Sequence, residues 1–117
     1  MYEMDKSKRL RRNKEFQRVY RYGKCTVSKR AVVYVLTNQG SRPARMGFVT
    51  GKKLGCAVVR NRIRRLMKEV YRHHQDRLKP GCDIVMVGRG FLKEASYGEA
   101  EQHILKLWEK ARILKEA

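Results

Sequence analysis

The sequence predicts an α+β fold in which helices cover one face of a β-sheet, as a two-layer sandwich. Three observations predict it. Apolar residues recur at helical spacing in three segments and cluster as short β-branched or aromatic runs in three others. These segments follow the order helix, strands, helix, strand, helix, without an internal repeat. The length of 117 residues suits a single domain with one core, extending over residues 1–117.

The first helix is predicted over residues 14–22, with Asn13 as its N-cap and Gly23 at its end. Phe16 and Tyr20 lie one turn apart on its apolar face, while most of its cations fall elsewhere.

Two strands are predicted to follow. Residues 31–37 are rich in β-branched and aromatic side chains, and residues 45–50 return after a turn at 38–43. This pattern indicates a hairpin, and residues 24–28 are expected to add a short edge strand.

A long helix is predicted over residues 57–78, ending before Pro80. A short apolar strand at 83–88 and a final helix over 97–114 complete the chain. If the strands flanking the long helix run parallel, they form a crossover, which general sterics make right-handed.

The net charge of +18 is concentrated in one part of the chain. Residues 1–80 hold 23 Lys and Arg against 5 Asp and Glu, whereas residues 81–117 hold 6 of each sign. A folded domain tolerates such self-repulsion when a polyanion neutralises it, and nucleic acid is the commonest such partner. An anionic membrane surface is a less favoured partner. No segment combines a polybasic face with an exposed apolar stripe that is not needed for the hydrophobic core.

Cys25, Cys56 and Cys82 are odd in number and widely spaced, which fits neither a disulfide framework nor a zinc ribbon. Buried thiols in a reducing compartment are expected instead. No apolar run approaches the roughly 18 residues of a membrane span, and the first residues lack the apolar core of a signal peptide. A cytoplasmic location is therefore expected.

The densest basic segment surrounds the start of the long helix. Lys52 and Lys53 lie on a glycine-flanked loop that can approach a phosphate closely, and the helix start that follows favours anions. Arginines and one asparagine then recur one turn apart beside the apolar stripe. A solvated helix face is the alternative, but residues 60–68 contain no acidic side chain.

Phe16, Tyr20 and Tyr34 form a second pattern. Aromatic residues at helical spacing often belong to a core. Arg12 and Lys14 nearby also fit a groove in which aromatic rings stack the bases of single-stranded RNA. The pattern alone leaves both interpretations open.

With these residues in view, the sequence resembles the family of bacterial ribonuclease P protein subunits over nearly its whole length. The central motif is Lys52-Lys53-Leu54-Gly55 followed by Ala57-Val58-Val59-Arg60-Asn61-Arg62-Ile63-Arg64-Arg65. Supporting segments are Arg9-Leu10-Arg11-Arg12-Asn13-Lys14-Glu15-Phe16 and Asp83-Ile84-Val85. The sequence departs from the family pattern at Gly51, where serine is common, and at Cys56, where a polar residue is usual.

The resemblance implies a fold like domain 2 of ribosomal protein S5, with a left-handed crossover in place of the right-handed one expected from sterics. It implies a holoenzyme that removes the 5′ leader from precursor tRNA by metal-dependent hydrolysis. The catalytic RNA supplies the active site, and Mg²⁺ is held by that RNA and the substrate, with no metal site and no catalytic residue on the protein.

The resemblance also assigns site residues. Those that contact the catalytic RNA are Lys52, Lys53, Arg60, Asn61, Arg62, Arg64, Arg65 and Lys68. Those that receive the single-stranded leader are Arg12, Phe16, Tyr20 and Tyr34. The expected partners are thus ribonuclease P RNA and precursor tRNA, with no membrane and no obligate protein partner.

Other functions were weighed against this one. Carboxylates are scarce in the basic region, so no catalytic pair, triad or metal cluster can be assembled. A ribosomal or other structural RNA-binding protein is the main alternative, since it shares the charge and size. In a DNA-binding regulator, a short turn should join the helix pair, and the binding of a protein–protein module should survive high salt.

Overall fold

The computed structural model describes residues 8–37 and 40–115. Its helices and strands, in chain order, are α1 (Asn13–Tyr22), β1 (Lys24–Val27), β2 (Ala31–Leu36), β3 (Arg45–Thr50), α2 (Ala57–His74), β4 (Asp83–Gly88) and α3 (Tyr97–Lys110). The predicted α+β class and the predicted order of elements are confirmed. Residues 38–39, within the predicted turn, lie outside the described ranges.

The four strands form one mixed sheet in the order β1, β2, β4, β3. The predicted edge strand β1 is confirmed, but the predicted hairpin between β2 and β3 is wrong, because β4 lies between them. Val85 on β4 faces Tyr34 on β2 in antiparallel register and Gly47 on β3 in parallel register. The parallel pairing of β3 with β4 makes α2 the expected crossover helix.

Strand β4 is apolar on both faces, and this determines where the helices pack. Ile84 and Met86 join the main core, in which α2 contributes Met67. Val85 points the other way and packs with Val19 of α1. The expectation that helices cover one face holds for α2 and α3, whereas α1 packs against the opposite face.

The helix ends differ slightly from the prediction. The N-cap of α1 is Arg12 rather than Asn13, and the carboxylate of Glu15 accepts a hydrogen bond from the Arg12 backbone N–H at 3.0 Å. Helix α2 ends at His74, four residues before the predicted end, and a 3₁₀ turn over Gln75–Arg77 follows it.

The cysteines divide by burial. Cys82 is buried, as predicted, but Cys25 and Cys56 are exposed, so the prediction is wrong for these two. Cys25 lies on the edge strand β1. Cys56 is the residue before α2, ahead of the first buried position of that helix. Among the helices within the described ranges, none is long and apolar enough to cross a membrane.

Candidate RNA-binding surfaces

The loop that leads into α2 presents two lysines to solvent. A 3₁₀ turn over Lys52–Leu54 ends at Gly55, whose φ of 138° strongly favours glycine. Cys56 is the N-cap of α2, and the backbone N–H groups of Val59 and Val58 lower the pKa of its thiol. The start of α2 therefore favours negative charge, as expected for a phosphate-binding helix terminus.

The cations of α2 form a surface that we call the basic ridge. Helix α2 buries Ile63, Met67 and Val70 against the sheet, which leaves its polar side chains around the remaining circumference. Within the part of the chain that the structure describes, no ridge cation forms a salt bridge with a carboxylate. The ridge, including the loop lysines, comprises Lys52, Lys53, Arg60, Asn61, Arg62, Arg64, Arg65 and Lys68.

The ridge borders a groove of about 730 Å³ between α2 and the first turn of α3. Its lining includes Arg65, Lys68 and the partly apolar pair Leu66 and Tyr97. Arg64 donates a hydrogen bond to the side-chain oxygen of Asn61, one turn earlier. The groove thus offers cations beside an aromatic ring.

Arg62 differs from its neighbours on the ridge, because hydrogen bonds to backbone occupy its guanidinium. Its Nη1 donates to the carbonyl oxygens of Leu92 at 3.4 Å and of Lys93, and its Nη2 donates to that of Ala95 at 3.3 Å. The family resemblance placed Arg62 with the RNA-facing arginines, but the structure directs its guanidinium toward the segment that precedes α3.

Carboxylates near the C-terminal end of the ridge are paired with other groups. Glu69 binds Arg72 at 2.9 Å, and this contact lowers the pKa of Glu69. Glu101 binds His74 at 2.8 Å and accepts a hydrogen bond from the hydroxyl of Tyr97 at 2.9 Å. These pairings reduce the negative charge that a phosphate approaching the ridge would meet.

The three predicted aromatic residues lie on the α1 side of the sheet, and we call this surface the aromatic groove (Phe16, Tyr20 and Tyr34). The rings of Tyr20 and Tyr34 meet edge to face, with centroids 4.9 Å apart. Burial raises the pKa of both hydroxyls, so each stays protonated at neutral pH. Tyr20 nevertheless keeps 37% of its surface exposed.

Phe16 sits directly over the sheet because Gly47 has no side chain. A Cβ at Gly47 would lie 2.4 Å from Cζ of the Phe16 ring. Phe16 packs beside Val19 and Val85, at the margin of the small hydrophobic cluster between α1 and the sheet, yet it remains partly exposed. The ring therefore combines a packed side with an accessible one.

Arg12 stands one helical turn before Phe16, whose backbone N–H donates to the Arg12 carbonyl oxygen at 3.3 Å. Its side chain lines a second cavity of about 510 Å³ at the start of α1, which we call the basic pocket. The cations of this pocket are Arg9, Arg11, Arg12, Lys14, Arg42 and Arg45. Of the four residues predicted to bind the leader, the structure thus groups three rings and places Arg12 one turn away, beside other cations.

An ion-pair network beneath the basic pocket joins α1 to the sheet. Arg45 donates to Glu15 at 2.6 Å and to the buried Asp83, which is 2% exposed, at 2.8 Å. Arg42 reaches the same Asp83 carboxylate at 3.1 Å. The Arg12 backbone N–H and the Arg45 guanidinium both lower the pKa of Glu15, which falls to about 2.

Sequence reasoning missed this network. The signal was a single carboxylate, Asp83, at the start of an otherwise apolar strand, since a charge in that position needs a buried partner. Within residues 8–37 and 40–115, no three His, Cys, Asp or Glu side chains lie together as a metal site requires.

Comparison with known proteins shows one family. The family model described as Ribonuclease P matches residues 4–112. The ribonuclease P protein component of Alkaliphilus oremlandii is 39% identical over 109 residues, covering 93% of this chain and 95% of the relative. That of Clostridioides difficile is 38% identical over 112 residues, covering 95% and 97%.

Solved structures give the same result. The fold is similar to that of the Staphylococcus aureus RNase P protein, with a TM-score of 0.84 and 28% identity, covering 94% of this chain and 100% of that one. It is also similar to the RNase P protein from Thermotoga maritima, with a TM-score of 0.78 and 27% identity, covering 87% and 96%.

Proposed function

The chain belongs to the ribonuclease P protein family and is a subunit of that tRNA-processing ribonucleoprotein, and we propose that it binds two RNAs at once. The basic ridge binds the catalytic RNA, and the aromatic groove binds the single-stranded 5′ leader of precursor tRNA.

The observation that carries this proposal is the separation of the two surfaces. The ridge lies on α2, whose apolar side packs on one face of the sheet. The groove is built by α1 on the opposite face. Because the surfaces share no side chain and face different directions, one RNA on the ridge leaves the groove free for another.

The ridge suits a structured RNA. Arginine forks grip phosphates with two parallel hydrogen bonds, and Asn61 can meet a base edge or a 2′-hydroxyl. The loop lysines, Lys52 and Lys53, add two further charges beside the anion-favouring start of α2. We assign Arg62 a positioning role instead, because backbone carbonyl oxygens occupy its guanidinium.

The groove suits an unpaired strand. Bases of any sequence stack on aromatic rings when cations nearby hold the phosphates. Tyr20 and the partly exposed Phe16 supply rings. Arg12, together with Arg9, Arg11 and Lys14 of the basic pocket, would hold phosphates at the end of the groove next to the start of α1.

In this proposal the protein supplies binding and charge, and the RNA supplies the chemistry. The Mg²⁺ ions that hydrolysis requires are assigned to the catalytic RNA and the substrate. The net charge of +18 offsets the repulsion between two RNAs, so the holoenzyme should cleave at lower Mg²⁺ and salt concentrations than the RNA alone. The protein without RNA should leave precursor tRNA intact.

The experiment is a two-by-two binding comparison. Holoenzymes containing the wild-type protein or Phe16→Ala are each titrated with long-leader and leaderless tRNA, and both proteins are melted in parallel. The variant should weaken binding of the long-leader substrate by about 1–3 kcal/mol, the usual scale of base–aromatic stacking. Leaderless tRNA should bind both holoenzymes equally.

Two results would count against the groove. Equal losses for both tRNAs would remove the dependence on the leader and favour a ribosomal or other structural RNA-binding role. A destabilisation of about 3–5 kcal/mol would show that Phe16 is a core residue, since truncation of a fully packed ring leaves a cavity.

A further inference from the structure

One aromatic side chain outside the aromatic groove lines the cavity beside the basic ridge. Tyr97, the first residue of α3, forms part of the wall of the cavity of about 730 Å³ between α2 and α3, which we call the α2–α3 groove. Tyr97 is partly exposed, and so is Leu66 of α2, which lines the same cavity. This volume lies within the range of small-ligand sites, which combine apolar walls with a few polar groups. A ligand with a flat apolar part would fit there.

The ring of Tyr97 is held in place from two sides. Its hydroxyl donates a hydrogen bond to Glu101 at 2.9 Å, one turn along α3, and its ring meets the imidazole of His73 edge to face at 5.5 Å. Burial, followed by the bond to Glu101 and the charge of Glu69, raises the pKa of Tyr97 to about 12. The hydroxyl therefore stays protonated at neutral pH, and the ring that lines the cavity is uncharged.

The two walls of the α2–α3 groove are also fixed relative to each other. Arg62 of α2 donates to the carbonyl oxygen of Ala95 at 3.3 Å. The next residue, Ser96, caps α3 by accepting a hydrogen bond from the Glu99 backbone N–H at 3.2 Å. The groove is thus formed before a ligand arrives, which reduces the entropy lost on binding.

The polar lining of the α2–α3 groove changes in charge along α2. Arg64 and Arg65 border the groove first, and Glu69 follows one turn later, about 6 Å along the helix axis. Neither arginine forms a salt bridge with a carboxylate among the residues that the structure describes. Glu69 lies near enough to Tyr97 to act on its hydroxyl electrostatically. The groove is therefore cationic at one end and has a carboxylate beside an aromatic ring at the other.

This arrangement matches the parts of a nucleotide. Arginine forks bind phosphate, and a base stacks on an aromatic ring such as that of Tyr97. Glu69 is bound by Arg72 at 2.9 Å, but a carboxylate has about four acceptor sites. It can therefore also accept a hydrogen bond from the amino group of a base. The base must be unpaired, because a paired base offers neither its face nor its pairing edge.

We propose that the α2–α3 groove binds one unpaired nucleotide of the catalytic RNA, with its base on Tyr97, its amino group on Glu69 and its phosphate on the arginines of the ridge. The proposal rests on the binding of that RNA by the basic ridge, with which the groove is continuous. It adds that the protein recognises a base in the catalytic RNA as well as its charge.

The first test measures the affinity of the protein for ribonuclease P RNA with two substitutions at one position. Tyr97→Leu removes the ring and should weaken binding about fivefold or more, the lower end of the range for base stacking. The slope of log affinity against log salt should not change, because no phosphate contact is lost. Tyr97→Phe keeps the ring but loses the bond to Glu101, and it should bind the RNA like the wild type.

The second test locates the base and uses the assembled holoenzyme. Dimethyl sulfate methylates a ring nitrogen on the pairing edge of unpaired adenine and cytosine. With the wild-type protein or Tyr97→Phe, one unpaired base of the catalytic RNA should be protected, and with Tyr97→Leu that base should react again. If no unpaired adenine or cytosine is protected by the wild-type protein, the proposal is wrong, whatever the stability of the variants.

Tyr22→Leu is the matched control, because Tyr22 is 67% exposed and does not line the α2–α3 groove. It should bind the RNA normally and keep the base protected. Equal losses for Tyr22→Leu and Tyr97→Leu would overturn the site. So would equal losses for Tyr97→Phe and Tyr97→Leu, since the bond to Glu101 would then explain the effect. Melting curves should show all three variants folded.

The remaining outcomes separate this site from the proposed function. If Arg64→Ala combined with Arg65→Ala weakens RNA binding while Tyr97→Leu does not, the base site fails and the ridge stands. If the arginine variant binds the RNA normally, the proposed role of the ridge itself fails. Adenosine monophosphate, titrated into the protein without RNA, tests a free nucleotide as the ligand. Saturable binding that depends on Tyr97, without a protected base in the RNA, would overturn the proposal.

Discussion

Arg62 donates a hydrogen bond from its guanidinium to the backbone carbonyl of Ala95 at 3.3 Å. Because Ser96 caps α3, this contact ties the middle of α2 to the residue before the start of α3. An arginine within the basic segment of the sequence therefore joins two helices, and we expect it to stabilise the fold.

Arg62→Ala should destabilise the protein by about 1–3 kcal/mol, because it leaves carbonyl oxygens without their charged donor. Affinity for the catalytic RNA should keep its salt dependence, since no phosphate contact is lost. Thermal melting and a salt titration measure the two effects. A reduced salt slope with unchanged stability would show that Arg62 binds RNA instead.

Arg64→Ala combined with Arg65→Ala should have the opposite effect: the stability of the protein should be unchanged, and the salt dependence of RNA binding should be reduced. Neither side chain belongs to the buried face of α2, so the melting temperature should remain near that of the wild type. The plot of log affinity against log salt should lose roughly 0.7–0.9 in slope for each phosphate contact removed. If the slope does not change, these arginines lie on a merely solvated face.

Gly47→Ala tests the aromatic groove without altering a ring. The new Cβ would lie 2.4 Å from the Phe16 ring and must displace it. We expect weaker binding of leader-bearing precursor by the holoenzyme and unchanged binding of leaderless tRNA. Gly51→Ala, where a Cβ meets nothing within 4 Å, is the control and should bind both normally. If the holoenzyme with Gly47→Ala binds leader-bearing precursor normally, the placement of the Phe16 ring does not contribute to leader binding.

Glu15 should make stability depend on acid pH. Its pKa falls from an ordinary value of 4.5 to about 2 in the folded protein. Stability from this carboxylate is therefore complete above about pH 5 and is lost as the pH falls toward 2. Melting temperatures of the wild type should drop more across this window than those of Glu15→Gln. Parallel curves would show that Glu15 contributes no such linkage.

Most helices and strands could be predicted, because local sequence patterns determine where each of them begins and ends. The strand β4 and the start of α3 at Tyr97 follow from apolar runs, breakers and caps. The partner of each strand does not follow, since a turn near residue 40 fits a hairpin as well as an open connection. The unbroken apolar run Ile84-Val85-Met86-Val87 was a usable signal, because a strand buried on both faces belongs in the centre of a sheet.

The candidate site residues were predicted with mixed success. A sequence pattern places a side chain on a helix or strand, but it does not determine which neighbouring groups that side chain contacts. Tyr20 and Tyr34, far apart in the chain, meet as the aromatic pattern suggested. Arg62 and Arg65 look alike in the sequence, yet only the tertiary structure shows carbonyl oxygens within reach of Arg62.

The central position of β4 has a consequence for biosynthesis. Its two neighbours, β2 and β3, leave the ribosome earlier, and each presents an open strand edge until residues 83–88 emerge and insert between them. Pairing of strands so distant in sequence is slow, and open edges favour association with other chains. The nascent protein should therefore complete its sheet only late in synthesis, and a chain released before Asp83 should aggregate.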